Sequence, residues 1–201
     1  MEVVGSDLKT YSLLVLDPRS LQQTIDEFLN DSIYAIFERP QNNVSGISFA
    51  VHAKESAMLL LLLHEGTHIY DVRYGITEHK RLARTIWQNY GTRVVKNTAF
   101  SGVRVNFNKK IDLARNIDIY DALVHSNFVS VYSLKSAGED FAELATFHYL
   151  VNELKYDYKI SVWNNSKQIL VYRPMQNPKV KMRIKHMRRC IFAKDKPCFS
   201  K

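Results

Sequence analysis

The sequence is short of several features, and each shortage narrows the class of protein. It has 2 cysteines among 201 residues, and no internal repeat or low-complexity linker. No apolar run approaches the roughly 20 residues that a membrane-spanning helix needs. The run at 57–63 is too short for a span, and we interpret it as part of a buried helix. These shortages favour a compact domain without a transmembrane segment.

The cysteines and the first residues bear on cellular location. Cys190 and Cys198 lie close together, so they form either one short disulfide loop or two free thiols. A disulfide would imply an oxidising compartment. Residues 1–7 have no basic start and no long apolar region, so no secretory signal opens the sequence. A secreted or periplasmic location is nevertheless favoured over a cytoplasmic one.

The composition is that of an ordinary globular protein. It is 46% hydrophobic and 24% charged, which suits a single domain over residues 1–201 with a real core. The formal net charge of +8 raises the odds of an anionic partner such as nucleic acid, a membrane surface or an acidic polymer.

Periodicity and turn residues predict a mixture of helices and strands. Residues 1–75 are expected to form a sheet plus one helix, residues 76–155 a helical part, and residues 156–201 a hairpin and a basic tail. The predicted strands are 11–16, 33–37, 47–51 and 102–107, followed by a hairpin of 156–163 with 168–172. The first predicted helix begins at Pro18, and the others cover 54–73, 78–89, 111–124 and 137–155.

The predicted helix at 54–73 contains the motif HExxH, as His64-Glu65-Gly66-Thr67-His68. Residues four apart on a helix lie one turn above each other, so both imidazoles can reach a single ion. Glu65 can then take a proton from a water molecule activated by that ion and pass it to a leaving amine. The alternative is a pair of ordinary helix histidines, and Gly66 is a poor residue in a helix interior.

A catalytic zinc site normally has a third protein ligand. The metzincin extension of HExxH is absent, because Asp71 and Tyr74 occupy the positions of its glycine and last histidine. On the predicted helix at 137–155, Glu139 and Glu143 share one face. Glu139 is the candidate ligand, and Glu143 is placed to accept a hydrogen bond from a ligand histidine. Taken alone, the pair would be a solvated acidic face near a helix N-terminus.

These two motifs together resemble the gluzincin pattern of zinc metallopeptidases. The sequence Glu139-x-Phe141-Ala142-Glu143 is similar to the ligand helix of the anthrax lethal factor catalytic domain and of the secreted Pro-Pro endopeptidases. In those families a tyrosine seven residues before the glutamate ligand stabilises the oxyanion, and Tyr132 holds that position here. The resemblance covers about a dozen residues, and it departs from those families at Gly66 and in the longer gap between His68 and Glu139.

Other candidate residues have two readings each. Asp71 either orients a ligand histidine or caps a wet helix face. In this fold class an edge strand before the active-site helix binds the substrate backbone, which points to Gly46, Ile47, Ser48 and Phe49. The basic tail at 179–189 either contacts an acidic surface or is a terminal strand with one apolar and one solvated basic face, and the alternation favours the strand.

The sequence therefore predicts an α+β, zincin-like fold: a twisted mixed sheet, an active-site helix and a mainly helical lower subdomain. The predicted function is that of a zinc-dependent endopeptidase acting on a peptide or protein. One Zn2+ per chain is expected at His64, His68 and Glu139, with Glu65 as general base and Tyr132 at the oxyanion. The alternatives are a catalytically silent zincin scaffold, such as a binding module or toxin component, and a basic nucleic-acid-binding domain, although no nucleic-acid motif is recognised.

Overall fold

The protein has an α+β architecture in the computed structural model, which describes residues 2–4, 10–12, 14–40, 45–77, 87–89, 92–93, 100, 105 and 109–191. Within that part of the chain, no helix has the length and apolar character to cross a bilayer. The strands are β1 (Glu2–Val4), β2 (Thr10–Ser12), β3 (Gly46–Ala50), β4 (Trp87–Asn89), β5 (Thr92–Arg93), β6 (Lys159–Asn164) and β7 (Lys167–Tyr172), and the helices are α1 (Ile25–Ile36), α2 (Ala57–Tyr74), α3 (Asn116–Val124), α4 (Ala137–His148) and α5 (Pro178–Ile191).

The central sheet has three strands in the order β3-β6-β7, and every pair is antiparallel. The predicted mixed sheet is therefore wrong for the described residues, where parallel pairing is confined to an isolated bridge between Phe37 and Ile111. The predicted hairpin is confirmed: β6 and β7 join through Asn165 and Ser166, both at positive φ (48° and 60°). Two residues at positive φ match the twist of the strands they connect.

The helix predicted to begin at Pro18 is a 3-10 turn at Pro18–Leu21 followed by α1, which begins at Ile25 and continues through the residues predicted as a strand. Thr24 and Glu27 form a reciprocal capping box that starts α1, and Ile25, Ile33 and Ile36 are buried along one face. The predicted strand at 33–37 is wrong, because these residues continue the helical spacing. The buried strand predicted at 11–16 is confirmed only at Tyr11 and Ser12, which belong to β2; residues 14–16 form no strand, and Val15 is exposed.

The HExxH motif lies within α2, as predicted. The buried residues of α2 are Ala57, Leu60, His64 and Asp71, which form one stripe, and the left-handed Gly75 (φ 61°) ends the helix. The leucine run is only partly buried, since Leu62 is exposed. The helix therefore contacts the core along a narrow stripe, and His64 is on it.

The residues after α2 differ from the predicted helix at 78–89. Trp87 to Asn89 form β4, and the Trp87 side chain is buried. The first part of this predicted helix, 78–86, lies outside the described residues, as do most of the predicted strand at 102–107 and Cys198. The helix predicted at 111–124 is confirmed from Asn116 onward, after a short 3-10 turn.

The helix predicted at 137–155 is confirmed as α4, continued by a π-helical turn at Tyr149–Glu153. Ser136 caps its N-terminus by accepting a hydrogen bond from the Glu139 amide. Most of α4 is buried, including Glu143 and Asp140. It is therefore an interior helix that carries acidic side chains, and each buried carboxylate needs a partner.

The basic tail forms helix α5, so the predicted terminal strand is wrong. Val180, Ile184 and Met187 are buried at spacings of four and three residues, whereas Met182 is 63% exposed. The alternation of apolar and basic residues suggests a period of two. The positions of Val180, Ile184 and Met187 also fit a helical period, and their burial shows that the helix is the one adopted. Pro178 occupies the start of the helix, where its missing N–H costs nothing.

Helix α5 is fastened to α4 by a buried ion pair. Arg183 donates to both carboxylate oxygens of Asp140 (3.0 and 2.7 Å), and the Trp87 indole donates to the same carboxylate at 2.8 Å. Arg183 also donates to the Asn127 carbonyl at 2.7 Å. Arg183 thereby balances the buried charge of Asp140, and α5 fixes the position of the N-terminal part of α4.

The helical assignment of the tail is tested by two methionines. We expect Met187→Ala to lower the free energy of unfolding by about 2–5 kcal/mol, because it removes a buried side chain. Met182→Ala should change it by less than about 0.5 kcal/mol, because that side chain is exposed. Chemical denaturation of both variants measures the difference. A strand would bury Met182 beside Val180 and Ile184, so a large loss at Met182 with none at Met187 would contradict the helix.

Candidate metal centre

Three side-chain atoms from α2 and α4 converge at one point. The Nε2 atoms of His64 and His68 are 3.2 Å apart, and Glu139 Oε2 lies 3.1 Å from the first and 3.2 Å from the second. Among the described residues, this is the group of histidine, cysteine and acidic side chains whose geometry could hold a metal ion. The sequence positions are 71 and 75 residues apart from Glu139, so the fold alone brings them together.

The triangle has the size that a zinc ion requires. With bonds of about 2.0–2.1 Å in a tetrahedral arrangement, neighbouring ligand atoms lie about 3.3 Å apart. The observed sides of 3.1–3.2 Å are close to this value. Two imidazoles and one carboxylate also form the usual three-ligand set of a catalytic zinc site, in which a fourth position stays open. The residues present therefore fit zinc in both number and chemistry.

The two oxygens of Glu139 have separate partners. Oε2 faces the histidines, whereas Oε1 accepts hydrogen bonds from Lys135 Nζ at 2.6 Å and from the Tyr132 hydroxyl at 3.2 Å. Lys135 also donates to the Tyr132 oxygen at 3.0 Å. Sequence reasoning missed Lys135, although its spacing of four residues from Glu139 was a usable signal.

Glu143 stands behind His64, where it was predicted. Its Oε1 lies 3.4 Å from His64 Nδ1, and its Oε2 accepts a hydrogen bond from the Ser130 hydroxyl at 2.5 Å. A carboxylate at Nδ1 keeps the proton on that nitrogen, so that Nε2 is the atom presented to an ion. Ser130 was not predicted, and nothing in the local sequence pattern distinguishes it from other serines.

Charge is strongly coupled within this cluster. Burial alone would lower the pKa of His64, but the carboxylates of Glu139 and Glu143 raise it to about 10. Burial would raise the pKa of Glu139, but hydrogen bonds from His64, His68 and Lys135 hold it well below its usual range. Burial raises the pKa of Tyr132 to about 12, so its hydroxyl stays protonated and can donate. Without a metal ion, hydrogen bonds from protonated groups hold this cluster together.

Glu65 and Tyr132 both line a cavity beside the histidines. The cavity has a volume of about 270 Å3 and lies between α1, α2 and the segment 130–132. Its walls are mainly apolar, with Phe28, Ile33 and Phe49 among them. His64 and Glu143 also line it. Glu65, the predicted general base, therefore lines a cavity that could hold an apolar group close to the candidate metal ligands.

Helix α1 occupies the outer edge of β3 at Phe49, so the backbone-binding role predicted for Phe49 is blocked in this structure, while the same role for Gly46, Ile47 and Ser48 stays a prediction. Asn30 of α1 donates to the Phe49 carbonyl (2.8 Å) and accepts from its amide (2.9 Å). One turn earlier, Asp26 accepts from the amide of Val51 at 2.7 Å. One turn later, the Tyr34 hydroxyl lies 3.1 Å from the position of a Cβ on Gly46. Ser48 pairs with β6 on the other side.

Asp71 does not orient a metal ligand in the described structure. Its two oxygens accept from the backbone amide and the hydroxyl of Thr77, at 2.7 and 2.6 Å. Asp71 therefore stabilises the turn that follows α2. It is buried, so it does not cap a solvated helix face as the alternative prediction had it.

Comparisons with known proteins give no relative. The chain matches no protein-family model, no curated protein and no solved structure.

The raised pKa of His64 predicts that metal binding releases protons. At pH 7 the metal-free His64 carries a second proton, because its pKa is about 10, and Nε2 must lose this proton to bind an ion. We expect release of about one proton per zinc ion near pH 7, with apparent affinity rising about tenfold per pH unit. Calorimetric titrations in two buffers of different ionisation enthalpy measure this release. Identical heats in both buffers would contradict the coupling.

Proposed function

We propose that this protein is a zinc-dependent metallopeptidase, with His64, His68 and Glu139 as metal ligands. The observation that carries the proposal is the triangle of ligand atoms with sides of 3.1–3.2 Å, formed by two helices distant in sequence. The HExxH motif supports it independently, because it places Glu65 directly after the first ligand. A zinc ion would act as a Lewis acid and lower the pKa of a water molecule.

The remaining chemistry belongs to this chain's own side chains. Glu65 takes a proton from water as the water oxygen attacks the amide carbon, and it returns that proton to the nitrogen when the C–N bond breaks. Tyr132, kept protonated by burial, donates to the carbonyl oxygen as negative charge develops there. Glu143 holds His64 in the correct tautomer through Nδ1.

The cavity beside Glu65 supplies a place for a substrate side chain. Because its walls are mainly apolar and its volume is about 270 Å3, a large apolar side chain such as leucine or phenylalanine would fit. Since α1 occupies the edge of β3 at Phe49, side-chain burial in this cavity would contribute more to binding than strand pairing. The proposed substrate is therefore a peptide with a large apolar residue next to the cleaved bond.

The metal site is tested by elemental mass spectrometry of purified variants. We expect about one zinc per chain in the wild-type protein, and a large loss in Glu139→Gln, which keeps the shape of the side chain but removes its charge. Glu38→Gln is the matched control, because Glu38 is exposed and outside the site. His68→Ala should lose zinc as well, whereas the exposed His125→Ala should not. Equal zinc in all variants would exclude this ligand set.

Catalysis is tested separately on zinc-loaded protein with a peptide library. We expect Glu65→Gln to keep its zinc and to lose activity by about 10²- to 10⁴-fold, because it removes the general base. Zinc-loaded wild-type protein that cleaves no peptide would support the catalytically silent scaffold instead. Protein that binds no zinc would leave the basic face of α5 as the feature to pursue with anionic partners.

The cavity predicts a change of specificity. Ala35 lines the cavity from α1, so Ala35→Leu should fill part of it. We expect kcat/KM for peptides with leucine or phenylalanine to fall by about 10- to 200-fold, and that for alanine peptides to change little. Ala114→Leu adds the same bulk at an exposed position outside the cavity and serves as control. An equal loss for all peptides would show that the cavity does not select the side chain.

A further inference from the structure

Lys135 has a position that helix energetics do not favour. It lies just before Ser136, the N-cap of α4, where the helix dipole disfavours a positive charge. It forms an i,i+4 pair with Glu139 in the less favourable order, with the lysine on the N-terminal side. The lysine side of this pair is partly exposed, which limits what the pair adds to stability. The energetics of the helix alone therefore do not account for this lysine.

The contacts of Lys135 concern the metal cluster itself. Its ammonium group donates to Glu139 Oε1 at 2.6 Å and to the Tyr132 oxygen at 3.0 Å, and it lies 4.9 Å from the centre of the Tyr132 ring. Both residues that it contacts have a role in the proposed function. Lys135 was assigned no role by the motif pattern that identified them.

The first consequence concerns the ligand atom. Because Oε1 is held by Lys135 and Tyr132, Oε2 alone faces the histidines. A carboxylate that is free to turn can offer both oxygens to an ion and fill the position that a catalytic site leaves open. Holding Oε1 aside keeps that position open for water or substrate.

The second consequence concerns the Tyr132 proton. A phenol has one O–H, and its oxygen here accepts a hydrogen bond from the ammonium group. The O–H is thus directed away from Lys135, and the neighbouring positive charge makes it a stronger donor. In the structure it points to Glu139 Oε1 over a long 3.2 Å, which a developing oxyanion would readily replace as acceptor.

We propose that Lys135 is a positioning residue, which keeps Glu139 Oε1 out of the ligand set and directs the Tyr132 proton toward the substrate. This inference rests on the proposed function for its second part, whereas its first part requires only that the site binds a metal.

The first part is tested on protein loaded with Co2+, whose visible spectrum reports coordination number. We expect Lys135→Met to bind one cobalt ion but to show weaker absorption, because a second carboxylate oxygen joins the ligand set. Lys135→Arg, which can still donate to Oε1, should keep the wild-type spectrum. The exposed Lys181→Met is a control for loss of charge elsewhere. A Lys135→Met spectrum identical to the wild type would overturn this part.

The second part is tested by a double-mutant cycle on zinc-loaded protein. We expect Lys135→Met to lower kcat by about tenfold or more with little change in KM, and to have an effect of less than about threefold in the Tyr132→Phe background. Equal losses in both backgrounds, or no loss in either, would overturn a role through Tyr132. Absence of cleavage by zinc-loaded wild-type protein would refute the proposed function and this second part with it, while the cobalt spectrum would still decide the first.

Discussion

The candidate site depends on the contacts made by the carboxylate of Glu139. This carboxylate lies at the contact between α2 and α4, and it joins two histidines on one side to Lys135 and Tyr132 on the other. A half-buried carboxylate is costly unless positive or hydrogen-bonding groups surround it. Here the cost of burying Glu139 is offset by the two histidines, Lys135 and Tyr132, and the same groups have roles in the proposed chemistry.

The support for this carboxylate extends through successive layers. Glu143 and Ser130 fix His64 from behind, and the pair of Arg183 with Asp140 holds the first turn of α4, next to Glu139 in sequence. Helix α5 therefore contributes to the site without contacting it. Precise placement of metal ligands requires such rigid supports, because small displacements weaken a site of fixed bond lengths.

The sequence predicted which of these side chains lie together better than it predicted the fold around them. The HExxH spacing, and the acidic pair on a second helix, need only helical geometry, so His64, His68, Glu139 and Glu143 could be identified in advance. The strand predicted at 33–37 and the strand predicted for the tail failed for a common reason. Short β-branched or alternating stretches fit both periods, and the capping box of α1 and the burial of Met187 decided between them. Contacts such as Lys135 with Tyr132 depend on side-chain conformations, which spacing alone does not reveal.

The cover over the edge of β3 has a consequence for how this protein behaves in a crowded solution. An unpaired strand offers a row of amides and carbonyls that can pair with any other extended chain, including another copy of the same protein. Asp26 and Asn30 lie one turn apart on one face of α1, and they bind the backbone at this edge at Val51 and Phe49. The side chains of one helix thus take the place of a neighbouring strand at Phe49 and Val51, and they oppose edge-to-edge association at the β3 side of the sheet.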